Sequence, residues 1–159
     1  MLCLITEFFQ GDRAYIFQID YEQNTIFNLF EYTEEGVTPE INNLQNVSLE
    51  TIQYWLDRFK VDGTFYLKSL EDEIDKNSEI YRLLKLQNIT SLIAVPLIEN
   101  EIITGFLGVD NPRRRYDNSS LLSSVVFFVS ESMNRKQQEQ KLKAMSYLDS
   151  MTHIFNRNA

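Results

Sequence analysis

Cys3 and His153 are the only cysteine and the only histidine among 159 residues, and little metal or nucleophile chemistry can be built from them. A lone thiol excludes an internal disulfide, leaves no second thiol to resolve an oxidised form, and agrees with a reducing compartment. One cysteine and one histidine do not complete a zinc site from ordinary ligand sets. A serine-based triad fails as well, because His153 lies near the far end of the chain with nothing to place it beside a serine. Arg113-Arg114-Arg115 offers either an anion site or a solvated loop paired locally with Asp110 and Asp117. Tyr15, Trp55 and Tyr66 bring polar tips that a ligand could use. The sequence therefore carries no catalytic constellation and no metal site.

Acidic residues outnumber basic ones 23 to 15, and the net charge of −8 repels phosphate backbones and anionic membrane surfaces. Nucleic acid is not an expected partner. A hydrophobic content of 43% is enough to build a core for one domain with an appendage. No stretch approaches the roughly 20 apolar residues that span a bilayer, and the first residues lack the basic start of a signal peptide. The expectation is a cytoplasmic domain that makes no membrane contact of its own.

Apolar positions 2, 4, 5, 8 and 9 have helical spacing, with Gly11 as a stop. Residues 13–20 and 25–32, rich in aromatic and β-branched side chains and separated by a polar link, predict a hairpin. Alternation puts Tyr15, Phe17 and Ile19 on one face of the first strand, and Phe27 and Leu29 on one face of the second. A loop over 33–46 leads to a short extended piece. Ser48 then opens an amphipathic helix carrying Ile52, Trp55, Leu56 and Phe59, closed by Asp62-Gly63.

A short strand over 64–67 comes next. Ser69 caps an acidic turn, and Ser78 caps a helix that turns Ile80, Leu83 and Leu84 inward. Residues 91–98 and 101–110 form the strongest strand pair, turning at Glu99-Asn100. Pro96 belongs at an edge or bulge, whereas Gly105 and Gly108 relieve crowding or leave room for something bound against the sheet. From 118 to 148 the spacing predicts a helix of roughly 30 residues, about 45 Å long. Its polar run at 134–141 interrupts the apolar stripe, so no sustained heptad is present. The order of elements predicts an α+β domain: an antiparallel sheet with flanking helices and a long C-terminal exit helix.

Three segments carry a resemblance: Gly11-Asp-Arg-Ala-Tyr-Ile-Phe17, Ser91-Leu-Ile-Ala-Val-Pro-Leu97 and Gly105-Phe-Leu-Gly-Val-Asp-Asn111. Together they resemble the first strand and the central strand pair of a GAF domain, over nearly all of residues 1–135. Residues 136–148 then read as a helical linker. Within 149–159, Asp149, Thr152, Asn156 and Arg157 match the opening of a GGDEF domain, the catalytic domain of diguanylate cyclases. Met151 and Ile154 replace leucines of that pattern, and His153 departs from its usual glycine.

The resemblance implies a sensory module whose output domain lies beyond residue 159, where GTP and Mg would bind and cyclic di-GMP would be made. It implies no catalytic residue and no cofactor within residues 1–159, although an unknown small molecule is a possible ligand. Phe27, Leu29, Trp55, Phe59, Tyr66, Ile93 and Val95 are the candidates to line its site, the alternative being that they fill the core. It also implies a homodimer packed through the first and exit helices, whose geometry gates the cyclase. Two other readings stay open. One is a ligand-free dimerisation or spacer module; the other is an input to a degenerate GGDEF domain that binds the dinucleotide rather than making it.

Overall fold

The computed structural model describes residues 2–114 and, beyond them, only separate positions between 120 and 143. The chain divides into two units, residues 1–126 and 127–159. In the second unit the described positions, Phe127, Ser130, Glu131, Arg135, Glu139, Leu142 and Lys143, are helical. Most of the exit helix expected over 118–148, most of the linker over 136–148 and all of 149–159 lie outside the described residues.

The first unit opens with α1 (Leu2–Phe9) and the hairpin of β1 (Arg13–Asp20) and β2 (Thr25–Thr33). A long loop leads to β3 (Val47–Ser48), a 3₁₀ turn (Leu49–Ile52) and α2 (Gln53–Asp62). β4 (Phe65–Leu67), α3 (Leu70–Glu73), α4 (Glu79–Leu86), β5 (Leu92–Glu99) and β6 (Ile102–Asp110) complete it. The strands form one six-stranded antiparallel sheet in the order β3-β2-β1-β6-β5-β4. The expected α+β architecture of an antiparallel sheet with flanking helices is what the structure shows.

Strand alternation divides the buried residues between two faces of the sheet. Tyr15, Phe17, Ile19, Ile26, Phe65, Leu67, Leu92, Ala94 and Phe106 join Ile52, Trp55, Leu56 and Phe59 in one core beneath α2 and α4. Ala14, Ile16, Ile93, Val95, Leu107 and Val109 alternate onto the opposite face, also buried. There α1 lies against β1, β2 and β6, with Ile5 and Phe9 buried.

Several local signals resolve differently from their sequence expectation. α1 ends in a Schellman turn in which Gln10, not Gly11, takes the left-handed conformation (φ 48°). Gln10 N donates to Glu7 O and Gly11 N to Thr6 O, the two bonds that define that motif. Gly11 is instead required by crowding, because a Cβ there would stand 2.5 Å from Val109 Cγ1. Ser48 belongs to β3 and makes no side-chain cap, so the 3₁₀ turn intervenes before α2 begins. Gly63 closes α2 at φ 74°, as its sequence position predicts.

Ser69 makes no side-chain cap either. The carboxylate of Glu73, the fourth helical residue, reaches back to accept the backbone N–H groups of Lys68 and Ser69 instead. Ser78 does cap α4, accepting from Tyr81 N at 3.2 Å. The β5–β6 turn falls at Asn100-Glu101, both at positive φ, one residue later than expected. At Pro96, β5 pairs with β6 alone, because the β4 ladder ends at Ala94. Among the described residues no helix is long and apolar enough to cross a membrane.

Candidate functional site

A cross-strand pair starts the site. Arg13 of β1 faces Asp110 of β6 in register, and both side chains are buried, at 3% and 1% exposure. Arg13 Nε lies 3.2 Å from Asp110 Oδ2. The rest of the guanidinium is directed elsewhere: Nη2 donates to the Gln87 carbonyl at the end of α4, and Nη1 to the Thr38 carbonyl at 3.4 Å. Glu40 Oε1 stands 3.9 Å from Nη1.

Neither Asp110 oxygen has a well-aligned hydrogen bond among the described residues. Burial pushes the Asp110 carboxyl up to about 7, against the pull of Arg13 and of the Tyr15 hydroxyl, while Glu31 and Asp12 push the same way as burial. Burial likewise raises the Tyr15 phenol well above its ordinary value, and the Asp110 charge beside it adds to that. Removing a charge pair from water without completing its hydrogen bonds is costly, so this arrangement is a poor structural staple.

Tyr15 is held in place by a glycine. A Cβ at Gly108 would stand 2.5 Å from the Tyr15 ring, so only a residue without a side chain lets that ring lie across β6. Gly105 serves a backbone approach instead, since its Cβ would collide with the Phe17 carbonyl oxygen. Both glycines relieve crowding between β1 and β6.

A bulge decides which side chains of β2 reach the site. Ile16 pairs with Phe30 and Phe17 with Asn28, leaving Leu29 as the extra residue. Ile26 and Asn28 therefore face the core, and after the bulge Glu31 does so as well. A regular strand would have presented Phe30, which is exposed. The Glu31 carboxylate accepts the backbone N–H groups of Glu40 and Ile41, each at 3.0 Å through Oε2. That contact holds the 34–46 loop over the sheet, where Leu44 enters the core.

Between sheet, loop, α2 and α4 lies a cavity. Tyr15, Phe17, Trp55 and Phe106 make its aromatic wall, and Glu31, Gln87 and Asp110 supply polar groups. Phe17 stacks on Phe106 at 5.0 Å between centroids, Tyr15 meets Phe17 edge-on at 5.3 Å, and Trp55 tilts over Phe106 at 5.7 Å. Trp55 is 5% exposed, and its indole N–H has no partner among the described residues. Buried indole N–H groups ordinarily find an acceptor. The space open to the centre of a water molecule is about 20 Å³, room for one or two ordered waters.

Of the seven residues singled out from sequence, Trp55 borders this cavity. Phe59 is buried one layer away, 6.0 Å from the Phe106 ring. Phe27 and Leu29 are half-buried on the other alternation of β2, and Ile93 and Val95 are buried on the other alternation of β5. Tyr66 is half-buried on β4, with Lys68 Nζ 5.8 Å from its ring centre. The charged and polar members, Arg13, Glu31, Gln87 and Asp110, were not singled out as site residues. Arg13 and Asp110 were legible in principle, as charges inside strands that otherwise read as buried.

Next to Asp110, Asn111 ties several loops together at φ 52°. Its Oδ1 accepts from Thr90 N, Thr90 Oγ1 and Ser91 N, and its Nδ2 donates to Asp12 Oδ2 and the Asn88 carbonyl. Arg113 pairs with Asp12 at 2.7 Å, and the backbone N–H groups of Arg113 and Arg114 both reach the Phe9 carbonyl at the end of α1. Arg113 therefore pairs not with the neighbouring Asp110, which Arg13 takes, but with the distant Asp12; Arg115 and Asp117 lie outside the described residues.

No family model matches the sequence, and no curated protein matches it. Solved structures do match. A GAF domain from Synechocystis sp. PCC6803 in its photoproduct state superposes with a TM-score of 0.71 at 14% identity, covering 89% of this chain and 93% of that one. The fold is that of a GAF domain. The red-light-absorbing state of a red/green cyanobacteriochrome gives 0.70 at 16% identity, over 87% and 92% of the two chains. The phycocyanobilin-bound GAF domain of a cyanobacterial phytochrome gives 0.69 at 12% identity, over 87% and 82%. At such identities the GAF fold is shared while the side chains around the cavity need not be.

Proposed function

We propose that residues 1–135 are a small-molecule-responsive regulatory GAF domain that controls a C-terminal diguanylate cyclase. The observation that carries the sensory part is the unfinished hydrogen bonding around the cavity. A filled core has no use for an indole N–H and a carboxylate left without aligned partners, whereas a binding site needs such convergent polar groups. The ligand-free spacer reading predicts a dry, self-filled interior and fits this arrangement less well.

The phytochrome neighbour binds phycocyanobilin, far larger than the enclosed space here, which has room for one or two waters. Even a ligand of about four or five heavy atoms requires side chains at the mouth to give way. Cys3, the single thiol, sits on α1, which packs on the face of the sheet opposite Trp55. The ligand is therefore a smaller molecule. The cyclase assignment rests on Asp149, Thr152, Asn156 and Arg157, and the domain division at 135 and 148 goes with it.

Two connections give such a ligand something to move. Glu31 both lines the cavity and holds the 34–46 loop, and Asp110 adjoins the Asn111 node that meets the end of α1. A ligand shifts the output only as far as it prefers one state of these contacts.

The test is the GTP-dependent formation of cyclic di-GMP by the full-length protein, with Mg present. Its companion is a thermal-shift screen of the domain against nucleotides, amino acids and common metabolites. Ligand at 100 times its dissociation constant adds about 2.7 kcal/mol, roughly 5 to 10 °C in a domain of this size. A compound that shifts the melting temperature and changes the cyclase rate supports the proposal. Absence of both effects favours the spacer, and ligand binding without turnover favours the degenerate output domain.

A further inference from the structure

We infer that the cavity takes a small organic cation bearing N–H donors, an ammonium or guanidinium group, held between the carboxylates of Glu31 and Asp110 and the rings of Trp55 and Phe106. The inference rests on the reading of this domain as a ligand-binding sensor and names the ligand class. Three observations converge on it. Around the polar end stand three carboxylates, Asp110, Glu31 and Glu40, against one guanidinium, that of Arg13. Arg13 stands behind Asp110 rather than in the cavity wall, whose charged members among the described residues are Glu31 and Asp110. Asp110 is paired with Arg13 and holds its proton up to about pH 7, so the charge the wall presents is chiefly that of Glu31, in a low-dielectric interior where a charge is felt strongly.

The second observation is the donor and acceptor inventory. The buried oxygens of Asp110 have the Tyr15 hydroxyl and, without good alignment, Arg13 Nε beside them, which leaves lone pairs that N–H groups on a ligand would fill. The third is the aromatic wall. Tyr15, Phe17, Trp55 and Phe106 form a contiguous cluster of rings, and π faces attract cations once water is displaced. Trp55 Nε1 points to one further feature. It is a buried donor and asks for an acceptor, so the best ligand carries a hydroxyl or carbonyl oxygen beside its cationic group. An anion would meet the Glu31 carboxylate, and a neutral polar molecule would leave its charge unanswered.

Calorimetric titration of the domain at constant ionic strength tests this with matched probes. Ethanolammonium, ethylene glycol and glycolate share a short hydroxylated skeleton and differ in charge; methylguanidinium and methylurea form a second matched pair. The expected result is saturable binding of the two cations at least about tenfold tighter than their neutral counterparts, with glycolate weakest. Glu31→Gln keeps an oxygen for the Glu40 and Ile41 N–H groups while removing the charge, and should weaken ethanolammonium about tenfold.

Trp55→Phe keeps the ring but removes the donor. It should weaken ethanolammonium while leaving ethylammonium, which has no acceptor, nearly unchanged. That variant still decides the matter if Glu31→Gln fails to fold. Equal affinities across charge states, preference for glycolate, or no saturable heat from any probe would overturn the inference. A metabolite of another class found by the thermal-shift screen would leave the sensor reading intact while still overturning the cation.

Discussion

Asp110 keeps its proton in the folded protein over a range where the unfolded chain has already lost it. Its ordinary value is 3.8 and its folded value about 7, chiefly because burial disfavours the anion more than Arg13 and Tyr15 favour it. Between those values the folded state binds more protons, so the contribution of Asp110 to stability is complete below about pH 4 and is lost as pH rises toward 7. Urea unfolding of the wild type and Asp110→Asn from pH 4 to 8 should show it. The wild-type stability minus that of the variant should fall across the window and level off above it. A flat difference would mean that the carboxyl ionises alike in both states. Asp110→Ala leaves Arg13 buried with only backbone carbonyls and Glu40 nearby, and should cost about 3–5 kcal/mol at neutral pH.

At the scale of elements, the β1–β6 contact determines where the aromatic wall stands. Gly108→Ala places a Cβ into the Tyr15 ring, so either the ring leaves the cavity or the strands part. The expected cost is about 1–3 kcal/mol by chemical denaturation, with weaker binding of any cavity ligand. Pairing it with Tyr15→Ala should recover much of the increment due to Gly108→Ala, because the clash disappears with the ring. Unchanged stability in Gly108→Ala would show that the ring is free to move aside.

The hairpins, α2 and α4 were readable from periodicity because their apolar residues recur at the period of the element that carries them. The Leu29 bulge was not, since nothing in Thr25-Ile-Phe-Asn-Leu-Phe-Glu-Tyr32 marks a one-residue slip. That slip changes the face of everything after it. Alternation by itself singled out Phe27 and Leu29, whereas the folded strand turns Ile26, Asn28 and Glu31 to the core.

For the whole molecule, the proposed homodimer through α1 and the exit helix makes a prediction about mass. Residues 1–159 should show twice the chain mass of 18.8 kDa by light scattering, and a chain ending at 135 should dissociate more readily. The same mass for both would remove residues 136–159 from the contact. The α+β class and the strand pairs follow from local sequence, because propensity and turn chemistry act over a few neighbouring residues. That the interior holds a cavity with an acidic end was decided only by tertiary structure. Arg13 and Asp110 lie far apart in sequence and meet through β1–β6 register, Glu31 reaches the site through a bulge, and Trp55 arrives on a helix packed across the sheet. Each of those placements depends on how distant segments pair and pack, which no local pattern encodes.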